Sequence, residues 1–100
     1  MKLLRVGVIG CGWIAQNVHI PAYIENPKSR LVALCDTNKE LLDKTADKYQ
    51  IANRFGDYHE LLESNLVDAV SICTLTTTHA EHALTKAKKG IHTLCEKHLA

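Results

Sequence analysis

Gly10, Gly12 and Ala15 occupy the spacing G-x-G-x-x-A, in the run Gly10-Cys11-Gly12-Trp13-Ile14-Ala15. The run directly follows the β-branched segment Val6-Gly7-Val8-Ile9. At such a junction the first glycine allows a tight turn, and the second lets backbone approach an anion such as a pyrophosphate. A small third residue lets the following helix pack closely on the strand. The backbone N–H groups around Gly12, Trp13 and Ile14, together with the helix dipole, would receive the negative charge. Asp36 closes the next apolar run about 20 residues further on, the place from which a carboxylate accepts both hydroxyls of an adenosine ribose. The same carboxylate repels a 2′-phosphate, which favours NAD over NADP, and Thr37 lies beside it on the rim. Two plainer readings exist. The glycines could serve only a turn, and Asp36 could only begin a helix cap.

These residues need strands to end beside one another and a helix to start at the loop. Leu3 to Ile9 reads as a short buried strand, and a helix should begin at the glycine loop, with Ile14, Ala15 and Val18 on its apolar stripe until Pro21 kinks or ends it. Arg30 to Cys35 is a nearly continuous apolar run, as expected for a parallel strand covered on both faces. Thr37 or Asn38 can cap a following helix with Leu41, Leu42, Thr45, Ala46 and Tyr49 on one face and charges on the other. Ile51 to Phe55 is a weak third strand, Tyr58 to Glu63 a short helical turn, and Asp68 to Cys73 a fourth strand. Ala80, Ala83, Leu84 and Ala87 follow helical spacing up to Gly90, and Ile91 to Cys95 forms a fifth strand. Strands alternating with helices imply a doubly wound α/β domain, a parallel Rossmann-like sheet of order 3-2-1-4-5.

A further set of residues carries a resemblance. Val70-Ser71-Ile72-Cys73-Thr74 leads to His79, Ala83-Leu84 precedes Lys89-Gly90-Ile91-His92, and Cys95-Glu96-Lys97 follows the fifth strand. With the glycine loop, these make residues 1–100 resemble the N-terminal portion of the Gfo/Idh/MocA family of NAD(P)-dependent sugar oxidoreductases. The resemblance implies that Thr74 to His79 border the cofactor, and Glu96 is either a cofactor-side carboxylate or a surface charge. It also implies that the Lys97 amine lies by the nicotinamide and the reacting hydroxyl. An amine there can bind or polarise the alcohol oxygen, since burial and a cationic ring both lower a lysine pKa; without the resemblance, Lys97 reads as an exposed lysine. Leu75 and His98 depart from the pattern, because each stands where the family has proline. The family's Lys-Pro bond is typically cis, a form that costs a non-proline bond roughly 2.5–4 kcal/mol, so Lys97 is expected to be re-aimed.

Composition bounds the alternatives. At 100 residues the chain is one domain, and 46% hydrophobic with 23% charged residues describes a globular chain rather than a disordered one. Twelve basic against eleven acidic residues leave a formal charge of +1, which provides no field for nucleic acid or an acidic membrane surface. The uncharged stretch Val6 to Ile24 is broken by Gly7, Gly10, Gly12, Gln16, Asn17, His19 and Pro21, so it is not a membrane span. Too few residues precede Cys11 for a lipoprotein leader. A cytoplasmic location, with cysteines kept as thiols, is therefore expected. Cys11, Cys35, Cys73 and Cys95 all fall near strand ends, but contain no C-x-x-C pair, and small buried thiols are common core fillers. His79 and His82 lack further ligand spacing, so no metal site is expected. His19, beside Ile20-Pro21, resembles a family position near the cofactor cleft, and Trp13 is either a packing residue or a lid on the cofactor.

The leading expectation is the NAD-binding domain of a sugar or polyol oxidoreductase. Gly10, Gly12, Ala15 and Asp36 would hold the cofactor, and Lys97 would address the substrate oxygen. Because the family's substrate domain is absent from residues 1–100, this span should bind cofactor at most, as a natural or engineered fragment. It should also self-associate, as a homodimer, through an exposed sheet edge. The alternative is a non-catalytic Rossmann module that carries a nucleotide or none. Flavodoxin-like and receiver-type modules are disfavoured, because neither pairs this glycine loop with an acid at the second strand's end.

Overall fold

The computed structural model describes residues 3–73 and 91–95. Five parallel strands lie in the order β3-β2-β1-β4-β5, as the alternation of elements implied. They are β1 (Leu4–Ile9), β2 (Ser29–Cys35), β3 (Asn53–Phe55), β4 (Ala69–Ile72) and β5 (His92–Cys95). The described helices are α1 (Ile20–Glu25), α2 (Lys39–Tyr49) and α3 (Tyr58–Glu63), with a π-helical segment, Ala15–His19, leading directly into α1. The apolar stripe Ala80 to Ala87 lies outside the described residues.

The central strands build a core on each face of the sheet, and in β2 the alternation is interrupted where the pairing with β1 skips Val32. Ile9, Ala33 and Cys35 point to one side, against Leu61 and Leu62 of α3 and Val67. Val8, Leu31 and Leu34 point to the other, against Ala15, Ile20 and the α2 residues Leu42 and Ala46. Gly7 suits the first packing, where space is tight. A Cβ there would lie 3.1 Å from Val67 Cγ1 and 3.3 Å from Leu61 Cδ2. The β1–β2 register shifts at this same place, between Val6 and Gly7.

Asn38, rather than Thr37, caps α2, its side chain accepting from the Leu41 N–H at 3.1 Å. Gln50 ends that helix in the left-handed conformation with φ 60°. Leu42, Thr45 and Ala46 are buried as the stripe required. Asp57 caps α3 by accepting from the His59 N–H, and that backbone bond, then the His59 ring, hold its carboxyl below the usual range. The third strand is shorter than Ile51 to Phe55. Ile51 is instead buried in the core, and its N–H donates to the Ala46 carbonyl at 2.8 Å.

The first helix departs from expectation at two points. Pro21 does not end it, because it falls in the first turn of α1, where a missing N–H is tolerated. The preceding turn is widened, with the Ile20 N–H bonding to the Ala15 carbonyl five residues back. In that pattern the Gln16 carbonyl would next be served by Pro21, which has no N–H; the Tyr49 hydroxyl of α2 donates to it at 3.2 Å. The wide turn also shifts the helix phase. Ala15, His19 and Ile20 are buried, whereas Val18, expected on the apolar stripe, is 48% exposed.

Candidate functional site

The glycine loop sits at the C-terminal ends of β1, β2 and β4, the edge where open parallel sheets bind ligands. Gly10 has φ 97°, a conformation that side-chain-bearing residues rarely adopt. Its N–H donates to the Cys35 carbonyl at 2.7 Å, and on the other side of β1 the Cys73 N–H donates to the Ile9 carbonyl at 2.7 Å. The turn is therefore held by both neighbouring strands. A Cβ on Gly12 would meet nothing within 4 Å, so the loop presents open space at the position expected to receive an anion. Ala15 is fully buried beneath it, which fulfils the packing role expected of the motif's last residue. The Gln16 N–H closes the first helical turn on the Gly12 carbonyl at 3.0 Å.

Asp36 lies beside this loop, directly beyond β2, and its own N–H extends the sheet by donating to the Phe55 carbonyl at 3.1 Å. Its carboxylate is half-buried and is the hub of the site. Oδ2 accepts from the Cys11 N–H at 2.7 Å, and Oδ1 accepts from the Asn38 N–H at 2.8 Å. A carboxylate offers about four acceptor sites, so two hydroxyl donors can still be accommodated. Thr37 is exposed next to it. Trp13 is 71% exposed at the start of the helix, so its indole is not a core residue and is available to cover a ligand on the loop. Ile14 is half-buried. The structure thus brings Gly10, Gly12, Trp13, Ile14, Ala15, Asp36 and Thr37 to one strand-end rim. Thr74, His79, Glu96 and Lys97, with Leu75 and His98, lie outside the described residues.

Three anchors of this rim were not anticipated. The Cys11 N–H is taken by Asp36, the Cys11 carbonyl accepts from Gln16 Nε2 at 2.8 Å, and Tyr49 supports the wide turn through Gln16. Nothing in the spacing marks Gln16 or Tyr49, because each contact depends on how the helix phase is set. Cys11 and Cys35 are buried free thiols, with Cys11 Sγ turned to the Cys35 carbonyl. Burial first, then the neighbouring Asp36 charge, pushes each thiol up to about 12. Both are uncharged near neutrality, so the loop adds no negative charge of its own against a phosphate. Among the described residues no cluster of His, Cys, Asp and Glu could hold a metal ion, and no helix is long and apolar enough to cross a membrane.

The model of an oxidoreductase family with an NAD-binding Rossmann fold, GFO_IDH_MocA, matches residues 4–100. The chain belongs to the Gfo/Idh/MocA family. It is 36% identical over 94 residues to D-glucoside 3-dehydrogenase from Escherichia coli, covering 94% of this chain and 27% of that protein. Myo-inositol 2-dehydrogenase from Thermotoga maritima is 35% identical over 97 residues, covering 97% of this chain and 29% of the relative. A solved oxidoreductase from Agrobacterium radiobacter, in complex with NAD+, L-tartaric acid and magnesium, superimposes with a TM-score of 0.86 at 29% identity. That match covers 96% of this chain and 28% of the solved one. The chain therefore spans under a third of the length of these Gfo/Idh/MocA proteins and corresponds to their NAD-binding Rossmann region. The loop and rim fit a dinucleotide: Gly12 leaves the space a pyrophosphate needs, and Asp36 keeps acceptor capacity for a ribose.

Proposed function

We propose that residues 1–100 form a dinucleotide-binding domain that holds NAD in preference to NADP, serving hydride exchange with a secondary alcohol of a sugar or polyol. The observation that carries the reading is the Asp36 carboxylate at the end of β2, beside the loop and with acceptor sites to spare. In this reading the backbone at Gly12, Trp13 and Ile14 binds the pyrophosphate, and Gly10 and Ala15 shape the turn beneath it. Asp36 accepts the adenosine ribose hydroxyls, and a 2′-phosphate would bring two negative groups together at that point. Trp13 shields the cofactor's phosphate side from water. The nicotinamide, when bound, supplies the hydride acceptor or donor.

The remaining assignments rest on the family resemblance. Thr74 and His79 border the cofactor, Glu96 lies on its side of the cleft, and the Lys97 amine binds the substrate oxygen and holds the proton lost on oxidation. Dehydrogenation of a glucoside and of an inositol by the two relatives supports the sugar or polyol class. A second reading, a nucleotide-carrying module without turnover, is favoured by Leu75 and His98, which replace the prolines of the family pattern. Calorimetric titration of the chain with NADH and NADPH, repeated on Asp36→Ala, tests the binding role. Saturable binding that prefers NADH, with the preference erased in the variant, is expected. Absence of binding, or tighter NADPH binding, would overturn the reading.

A further inference from the structure

We infer that Asp36 is a positioning residue for the glycine loop as well as a ribose acceptor: it holds the loop in its anion-receiving shape before any ligand arrives. The inference rests on the dinucleotide reading and extends it. The Cys11 N–H lies between the two glycines, in a loop whose φ at Gly10 is open only to glycine. A backbone with that freedom gains no shape from local sterics, so its shape must come from hydrogen bonds. Three bonds supply it. Gly10 N–H is held by the Cys35 carbonyl, Cys11 N–H by Asp36 Oδ2 at 2.7 Å, and the Cys11 carbonyl by Gln16 Nε2 at 2.8 Å. The middle one is the bond to a carboxylate, the strongest kind of the three.

The other carboxylate oxygen, Oδ1, accepts from the Asn38 N–H, and Asn38 in turn caps α2. The same side chain therefore ties the loop after β1 to the start of the helix after β2. Neither tie involves a ligand. With Cys11 N–H engaged by Asp36, the anion is left to the N–H groups that follow, at Gly12 and the first helical turn, where the backbone faces open space.

The two roles of Asp36 predict opposite signs for a ligand that has no ribose. If Asp36 were only a ribose acceptor, removing its charge would leave inorganic pyrophosphate binding unchanged or tighten it, because a nearby negative group would be gone. If it positions the loop, the same change must weaken pyrophosphate binding.

The unaltered chain is first titrated with NADH, which tests the dinucleotide reading by itself, and then with inorganic pyrophosphate. Asp36→Ala and Asp36→Asn are titrated with pyrophosphate, and hydrogen exchange at the Cys11 amide is followed in all three proteins without ligand. Expected for Asp36→Ala is about tenfold weaker pyrophosphate binding, the scale of one lost charge-assisted hydrogen bond, together with faster exchange at Cys11. Asp36→Asn keeps an acceptor for Cys11 N–H, so it should retain most of the pyrophosphate affinity and the slow exchange. Equal or tighter pyrophosphate binding by Asp36→Ala, or unprotected Cys11 exchange in the unaltered chain, would overturn the positioning role even where NADH binds. Failure of the unaltered chain to bind NADH would overturn the dinucleotide reading and this extension together.

Discussion

Raising the pH from about 8 to about 10.5 should destabilise this domain through two thiols that lie at the candidate site. Cys11 and Cys35 are buried beside Asp36, and both are pushed from 9.0 up to about 12, by burial first and the carboxylate second. For a thiol, a folded value above the unfolded one means that the native state keeps its proton while the unfolded state loses it. The stabilisation is therefore complete below about pH 9 and drains away as the pH climbs toward 12. Between those limits each thiol removes about 1.4 kcal/mol of stability per pH unit, or roughly 2 kcal/mol by pH 10.5. Urea midpoints followed by far-UV circular dichroism under reducing conditions, at three pH values across this window, give the slope. Other groups also titrate there, so the informative quantity is the difference between the unaltered chain and Cys11→Ala or Cys35→Ala. Each variant should lose stability with pH less steeply, by about 1.4 kcal/mol per unit, whatever its starting stability. Parallel slopes would show that the thiols ionise as readily in the folded state as in the unfolded one, and would refute the reasoning that burial beside Asp36 keeps them protonated.

Two stability predictions test the packing that positions the site. Gly7→Ala should destabilise by about 1–2 kcal/mol net, since the new methyl crowds Val67 and Leu61 while recovering some backbone entropy; a variant as stable as the parent in urea would contradict this. Thr45→Val should stabilise by about 1 kcal/mol, because Thr45 Oγ1 is buried with no hydrogen-bond partner and valine keeps the branched shape at similar helix propensity. A lowered urea midpoint would count against that.

Much of this architecture is legible from periodicity. The nearly continuous apolar runs Val6 to Ile9 and Leu31 to Cys35 mark strands covered on both faces, and the Leu42, Thr45, Ala46 stripe marks the buried side of α2. Those patterns are local, and the sheet order follows from right-handed crossovers. The glycine loop and Asp36 were legible for the same reason, because the motif carries its own geometry. What escaped depends on helix phase. The wide turn at Ala15–His19 moves Val18 out to solvent and brings His19 inward, which a 3.6-residue period cannot express. Tyr49 donates to the Gln16 carbonyl that Pro21 cannot serve. The engagement of Asp36 by Cys11 N–H is also non-local, joining residues 25 apart in the chain. A carboxylate read as a ligand for ribose proves to be a structural partner of the loop as well.

The most direct test of the central claim is a map of backbone amide shifts in the isotopically labelled chain as NADH is added. Saturable shifts that are largest from Gly10 to Ala15 and from Asp36 to Asn38 are expected, since those amides form the rim that would receive the pyrophosphate and ribose. No saturable change, or changes confined to the β3 edge and the outer face of α2, would contradict the claim that this strand-end rim is a dinucleotide site.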